Sequence, residues 1–151
     1  MRKAIDPGFL PWLHQAIPLT AYLGIQSLRW QQDTLVAELS LAPLVNDKGT
    51  GFGGGVAGLA TLLGWCFVTL ILDEDDRRCP VVVKESSNRF TAPITDDFTL
   101  YCCCETDPEA AVFLERFAER GRAGIELQIE ARQDEQTAFS YQGTYVALGH
   151  G

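Results

Sequence analysis

From Gly53 to Leu72 the chain runs without a single Asp, Glu, Lys, Arg, His or Pro. A segment of that length and character can be helical and can be covered on every side, so whatever else folds must bury it. It is entered through Gly49-Thr50-Gly51-Phe52-Gly53-Gly54. A glycine-rich turn at a helix start leaves backbone N–H groups without partners, and these, with the helix dipole, favour developing negative charge. A carbonyl oxygen placed there would be polarised. The same run is long enough to span a bilayer and is followed by the charged stretch Asp73-Glu74-Asp75-Asp76-Arg77-Arg78. Glycines crowd its first half, however, and the rest of the chain reads as alternating strands, which argues for a core helix outside any membrane. Small residues at 54, 57, 58, 60, 61 and 64 would let a sheet approach closely.

The 151 residues suit a single domain, 1–151, with a core large enough to hold that helix. A net charge of −8 and a pI near 4.6 speak against a nucleic-acid surface, which needs a clustered basic stripe. Residues 1–20 have a basic start but no continuous apolar run, and Pro7, Pro11 and Pro18 interrupt them, so no signal peptide is read and the cytoplasm is expected. The five cysteines, three of them consecutive at 102–104, form neither a secreted disulfide framework nor a CxxC zinc pair. Neither a metal nor a cofactor is expected.

Residues 9–16 suggest a short helix packed on the body. Strands are expected over 23–32 and 34–41, joined at Gln31-Gln32-Asp33. In the second, Leu35, Ala37, Leu39 and Leu41 alternate with Val36, Glu38 and Ser40, so one face should be wet. After the long helix come strands over 81–90 and 98–105, joined through Ala92-Pro93 and the turn 94–97. Cys102 and Cys104 share a strand face at about 7 Å, long for a disulfide. Asp107-Pro108 reads as a helix start and Gly121 as its stop, with Val112, Phe113, Phe117 and Ala118 as the apolar stripe. Ile125, Leu127, Ile129 and Ala131 alternate with Glu126, Gln128, Glu130 and Arg132 in a fifth strand, and Thr137–Leu148 forms a sixth. Short turns make hairpins, so the expected architecture is α+β: an antiparallel curved sheet wrapped around one long central helix.

The run Asn46-Asp47-Lys48-Gly49-Thr50-Gly51-Phe52-Gly53-Gly54 resembles the N-x-x-G-x-x-F/H-G-G loop that opens the central helix of hotdog-fold thioesterases, and Phe90-Thr91-Ala92-Pro93 resembles that superfamily's aromatic-x-x-Pro strand end. With Gly64-Trp65 in the helix, the chain is most similar to the thioesterase family typified by the C-terminal domain of YiiD. The resemblance implies the hotdog fold, an acyl thioester substrate on coenzyme A or acyl carrier protein, no cofactor, and a homodimer or higher homo-oligomer with its site at the subunit interface. It implies that Asn46 hydrogen-bonds the thioester or orients the attacking water. The amides of Phe52, Gly53 or Gly54 would form an oxyanion hole, each donor of which is typically worth about 3 kcal/mol of barrier. Asp47, Lys48, Gly49 and Thr61 would contact substrate. A purely local role for Asn46, satisfying its own turn, is equally common in loops.

This central helix departs from many hotdog thioesterases in lacking the Asp or Glu that serves there as base or nucleophile. Thr61 without a base is a poor nucleophile, and Cys66 mid-helix reads as core. Three functions are therefore expected. The first is acyl-thioester hydrolysis, with water activated by Asp47, by the second subunit or by Asn46 positioning alone. The second is decarboxylation of a malonyl carrier-protein thioester, which needs an oxyanion hole and no base. The third is a non-catalytic acyl-thioester binding module.

Overall fold

The structure, a computed structural model, describes residues 2–106 and 109–149. Strands β1 (Ile25–Gln31), β2 (Thr34–Leu39), β3 (Val81–Phe90), β4 (Phe98–Cys104), β5 (Arg122–Gln133) and β6 (Gln136–Leu148) form one sheet in the order β1-β2-β4-β5-β6-β3. Every neighbouring pair is antiparallel. The helices are α1 (Phe9–Ala16), α2 (Gly53–Glu74) and α3 (Glu109–Arg120). The uncharged run is thus a single helix, and it lies against the inner face of the sheet, touching β2 through β6.

Alternation decides which side chains meet α2. Leu35, Ala37 and Leu39 of β2, Phe98, Leu100 and Cys102 of β4, and Ile125, Leu127, Ile129 and Ala131 of β5 are all buried. They share one core with Leu59, Leu63, Phe67 and Ile71 of α2, each such leucine contributing roughly 1.5–3 kcal/mol by leaving water. Trp30 of β1 meets Phe67 edge to face at 5.2 Å between ring centroids. The N-terminal segment is tied down at two places. Arg2 pairs with Glu74 at 2.8 Å and with Asp33 at 3.4 Å, and Trp12 of α1 stacks on Trp65 of α2 at 6.1 Å.

Four expectations are corrected. β3 and β4 are not hairpin partners: β3 pairs with β6 at the sheet edge, and residues 91–97 carry the chain from that edge to β4 in the interior of the sheet. Val36, expected on the wet face of β2, is fully buried. The buried stripe of α3 is Ala110, Phe113 and Phe117, spaced i, i+3, i+7, while Val112 and Ala118 face solvent. The helix start expected at Asp107-Pro108 lies outside the described residues; Gly121, with φ of 70°, follows the end of α3.

The fourth correction concerns α2 itself. It is long and apolar enough to cross a membrane by length and composition, yet most of it lies inside the core. It is not covered all round, because Gly54, Ala57, Gly58, Thr61 and Trp65 form a stripe open to solvent. Of the small residues expected to admit the sheet, Gly64 does so most plainly: a Cβ there would collide with the ring and hydroxyl of Tyr145 on β6. A Cβ at Gly58 would meet nothing within 4 Å. The stripe and the sheet contact are different faces.

Candidate active site at the start of the central helix

The turn before α2 is closed on itself. Val45 and Gly51 form an isolated bridge, Asn46 N–H donates to Thr50 O at 2.8 Å, and Gly49, with φ of 80°, returns its N–H to Asn46 O at 3.1 Å. A left-handed φ is easy only for glycine, so Gly49 shapes the turn. The Asn46 side chain fills it: Oδ1 accepts from Lys48 N–H at 2.8 Å and Thr50 N–H at 3.1 Å, and Nδ2 donates to Thr50 Oγ1 at 3.0 Å. The local role set against a substrate contact is therefore present. Asn46→Ala should cost about 1–3 kcal/mol by leaving those donors unmatched, whereas Asn46→Asp keeps the acceptor; comparing melting curves of both variants checks this.

Two further bonds decide which amides remain. Gly51 N–H donates to Ile94 O at 2.8 Å, and Phe52 N–H donates to Leu44 O at 2.7 Å. Phe52 is the N-cap with φ of −70° and ψ of 123°, makes no side-chain cap, and accepts from Val56 N–H at 3.0 Å. The expectation that the Phe52 amide serves an oxyanion is thereby corrected, since its proton is already given to Leu44. Helix geometry leaves the N–H groups of Gly53, Gly54 and Gly55 without intrahelical acceptors.

Beside the first of these amides lies a cleft of about 340 Å³ lined by Gly51, Gly53, Val56, Phe90, Pro93 and Ile94 among others. Its far wall is the end of β3 and the crossover that follows. Phe90 packs on Phe139 at 4.9 Å but stays 56 % exposed, and a Cβ at Gly53 would come within 3.3 Å of its ring. Phe52, 57 % exposed, flanks the other side, where its ring lies 2.9 Å from a Cβ built at Gly54. Any side chain at 53 or 54 would crowd one of these rings at the mouth.

The other expected residues are scattered. Asp47 and Lys48 pair with each other at 3.0 Å with both side chains largely in water. Thr61 lies eight residues beyond Gly53, roughly 12 Å along the helix axis, on the open stripe, and its Oγ1 donates back to Ala57 O at 2.9 Å. One chain thus brings Gly53 to the cleft, whereas Gly54 faces the Phe52 ring and Thr61 stands apart. Burial pushes the Cys66 and Cys102 thiols up, so both stay protonated and inert as nucleophiles. Burial and Glu109 hold Cys104 up at about 12. Among the described residues no group of three or more His, Cys, Asp or Glu is placed to hold a metal.

Two features escaped the sequence reading. One is the free N–H of Gly55, visible only once the helix boundary within the glycine run is fixed. The other is a buried tyrosine relay: Tyr145 OH donates to Thr61 O at 2.7 Å, so Tyr141 OH donates to Tyr145 OH at 2.9 Å. Burial, and then the bond from Tyr141, raises the Tyr145 phenol far above its ordinary range. The pairing of Gly64 with Tyr145 and of Gly143 with Tyr141, where a Cβ would meet the tyrosine ring, makes room for the relay.

The structure is similar to a protein of unknown function from Chlorobaculum tepidum, with 25 % identity, a TM-score of 0.82, and coverage of 93 % of this chain and 91 % of that one. It is similar to the putative thioesterase from Shewanella oneidensis, with 23 % identity, a TM-score of 0.77 and coverage of 91 % and 92 %. A third likeness is to a protein of unknown function from Pseudomonas aeruginosa described as a probable thioesterase, with 18 % identity, a TM-score of 0.73 and coverage of 99 % and 100 %. The antiparallel sheet around a long central helix is thus the hotdog fold of these proteins. Residues 10–149 match the family described as "Putative thioesterase (yiiD_Cterm)", and the chain belongs to that family.

Proposed function

We propose that the protein is an acyl-thioester hydrolase acting on coenzyme A or acyl carrier protein derivatives, with the thioester oxygen held by the amides of Gly53, Gly54 and Gly55. One observation carries this reading: the unpaired amides open the positive end of a 22-residue helix, and the first of them, Gly53, lines an open cleft beside Val56, Phe90, Pro93 and Ile94. A tetrahedral intermediate there gains charge on oxygen as water adds, and the amides stabilise that charge more than the neutral carbonyl.

The site works in a homodimer. β3 pairs on one side only, its residues 82–90 are exposed, and Val82 and Val83 are 44 % and 42 % exposed. A free edge of that length presents a row of unpaired N–H and C=O groups that invites a second strand, and the open stripe of α2 would be covered by the same contact. Sedimentation velocity should give a dimer at micromolar concentration; a monomer contradicts it.

A second reading is favoured by a specific observation. Asp47, the nearest carboxylate in sequence, has a side chain 84 % exposed and paired with Lys48, and α2 carries none before Asp73. Decarboxylation of a malonyl thioester needs no base. The bond to the carboxylate breaks, carbon dioxide leaves, the electron pair passes into the enolate whose oxygen the amides hold, and protonation at carbon yields the acetyl thioester. Incubation with a panel of acyl and malonyl thioesters separates the readings. Free thiol with intact acid supports hydrolysis, and acetyl thioester with carbon dioxide supports decarboxylation. Binding without either product contradicts both and leaves a binding module.

A further inference from the structure

The geometry points to Gln133, at the end of β5, as a positioning residue that holds the glycine turn in its working shape. Its Nε2 donates to Pro93 O at 2.7 Å, and its Oε1 accepts from Thr95 N–H at 2.8 Å. One rigid amide therefore grips the crossover on both sides of Ile94. The Ile94 carbonyl in turn accepts from Gly51 N–H at 2.8 Å, two residues before α2 begins. The far end of the crossover is fixed separately, where Thr91 and Ala92 donate their N–H groups to Ala138 O at 3.0 Å and 3.1 Å. Pro93 and Ile94 also line the cleft, so Gln133 sets both the wall and, through Gly51, the placement of the amides opposite it.

The residue type is specific. A primary amide offers, at any pH near neutral, a donor and an acceptor on one planar group, matching a carbonyl and an N–H two residues apart. A carboxylate would keep the bond from Thr95 and repel the Pro93 carbonyl, whereas a protonated carboxyl would restore both. Asp96, Asp97, Asp134 and Glu135 line the same groove, so a carboxyl introduced at 133 should protonate at or above the usual value of about 4.3.

The role in turnover rests on the thioester reading above, and the test separates the two. In Gln133→Ala the Gly51 amide should shift and exchange with solvent faster. With the thioester that the wild type turns over, kcat should fall roughly tenfold to a hundredfold while KM holds within about twofold, the signature of misplaced rather than missing groups. Gln133→Glu, close to isosteric, should show the same loss at neutral pH and regain activity relative to wild type as pH falls toward about 4–5. An unmoved Gly51 amide in Gln133→Ala, or an unchanged kcat, overturns the proposal. A wild type that turns over no thioester overturns the functional reading instead, and the Gly51 resonance still decides the clamp.

Discussion

Gly53→Pro should fold as the wild type does and lose turnover by roughly a hundredfold to a thousandfold, the loss expected when one oxyanion donor is removed. Proline is suited to this position. Gly53 is the first residue of α2, where the N–H has no intrahelical partner and a φ near −65° is already helical. The residue before a proline must avoid the helical region, and Phe52 does so with ψ of 123°. The substitution thus keeps the helix start and removes one proton donor, while its ring stands beside Phe90 as any side chain at 53 would. Gly53→Ala is the control: its Cβ would approach the Phe90 ring at 3.3 Å, a contact an exposed ring can relieve, while the N–H stays. Kinetics on both variants should therefore diverge, with alanine within a few fold of wild type. Equal losses in the two would mean that the mouth of the cleft, and not the amide, was disturbed.

Gly64→Ala should be the most damaging single-methyl change in the chain. Its Cβ would sit inside the space of the Tyr145 side chain, which is fully buried and anchored by the bond to Thr61 O at 2.7 Å. Relief requires moving α2 away from β6 or swinging Tyr145 out, and the second breaks the bond from Tyr141 as well. Overpacking costs about 1–3 kcal/mol, and each buried hydroxyl left unmatched costs about 1–3 kcal/mol more. Alanine's better helix propensity returns only about 1 kcal/mol. A net loss of about 3 kcal/mol follows, or roughly 6–12 °C in Tm for a chain of this size. Tyr145→Phe should not rescue it, because ring carbons as well as the oxygen occupy the site. Urea denaturation of the single and double variants checks both statements; a Gly64→Ala protein as stable as wild type would contradict the packing described.

Much of this architecture was readable before any coordinates. The strict alternation of β5 named its buried face at Ile125, Leu127, Ile129 and Ala131, and the uncharged run named the helix that the sheet surrounds. Strand order was not readable. The short connection at 91–97 looks like a hairpin turn in sequence, whereas it crosses from the sheet edge to an interior strand, and only the pairing of β3 with β6 shows this. Nor was the open face of α2 visible, because a helix apolar all round carries no pattern to distinguish one side from another. In the site, the glycine turn announced itself, but which amides stay unpaired depends on Leu44 O and Ile94 O, acceptors supplied by other segments. Gln133 had no signal for the same reason, since its partners are backbone atoms some forty residues away.

The most direct test is spectroscopic. Wild-type protein labelled with ¹⁵N is titrated with a ketone isostere of acyl coenzyme A, in which a methylene replaces the sulfur and the carbonyl is kept. Binding should move the amide protons of at least two of Gly53, Gly54 and Gly55 downfield, as donors to the ligand oxygen. Saturable binding that leaves those three resonances in place would contradict the account.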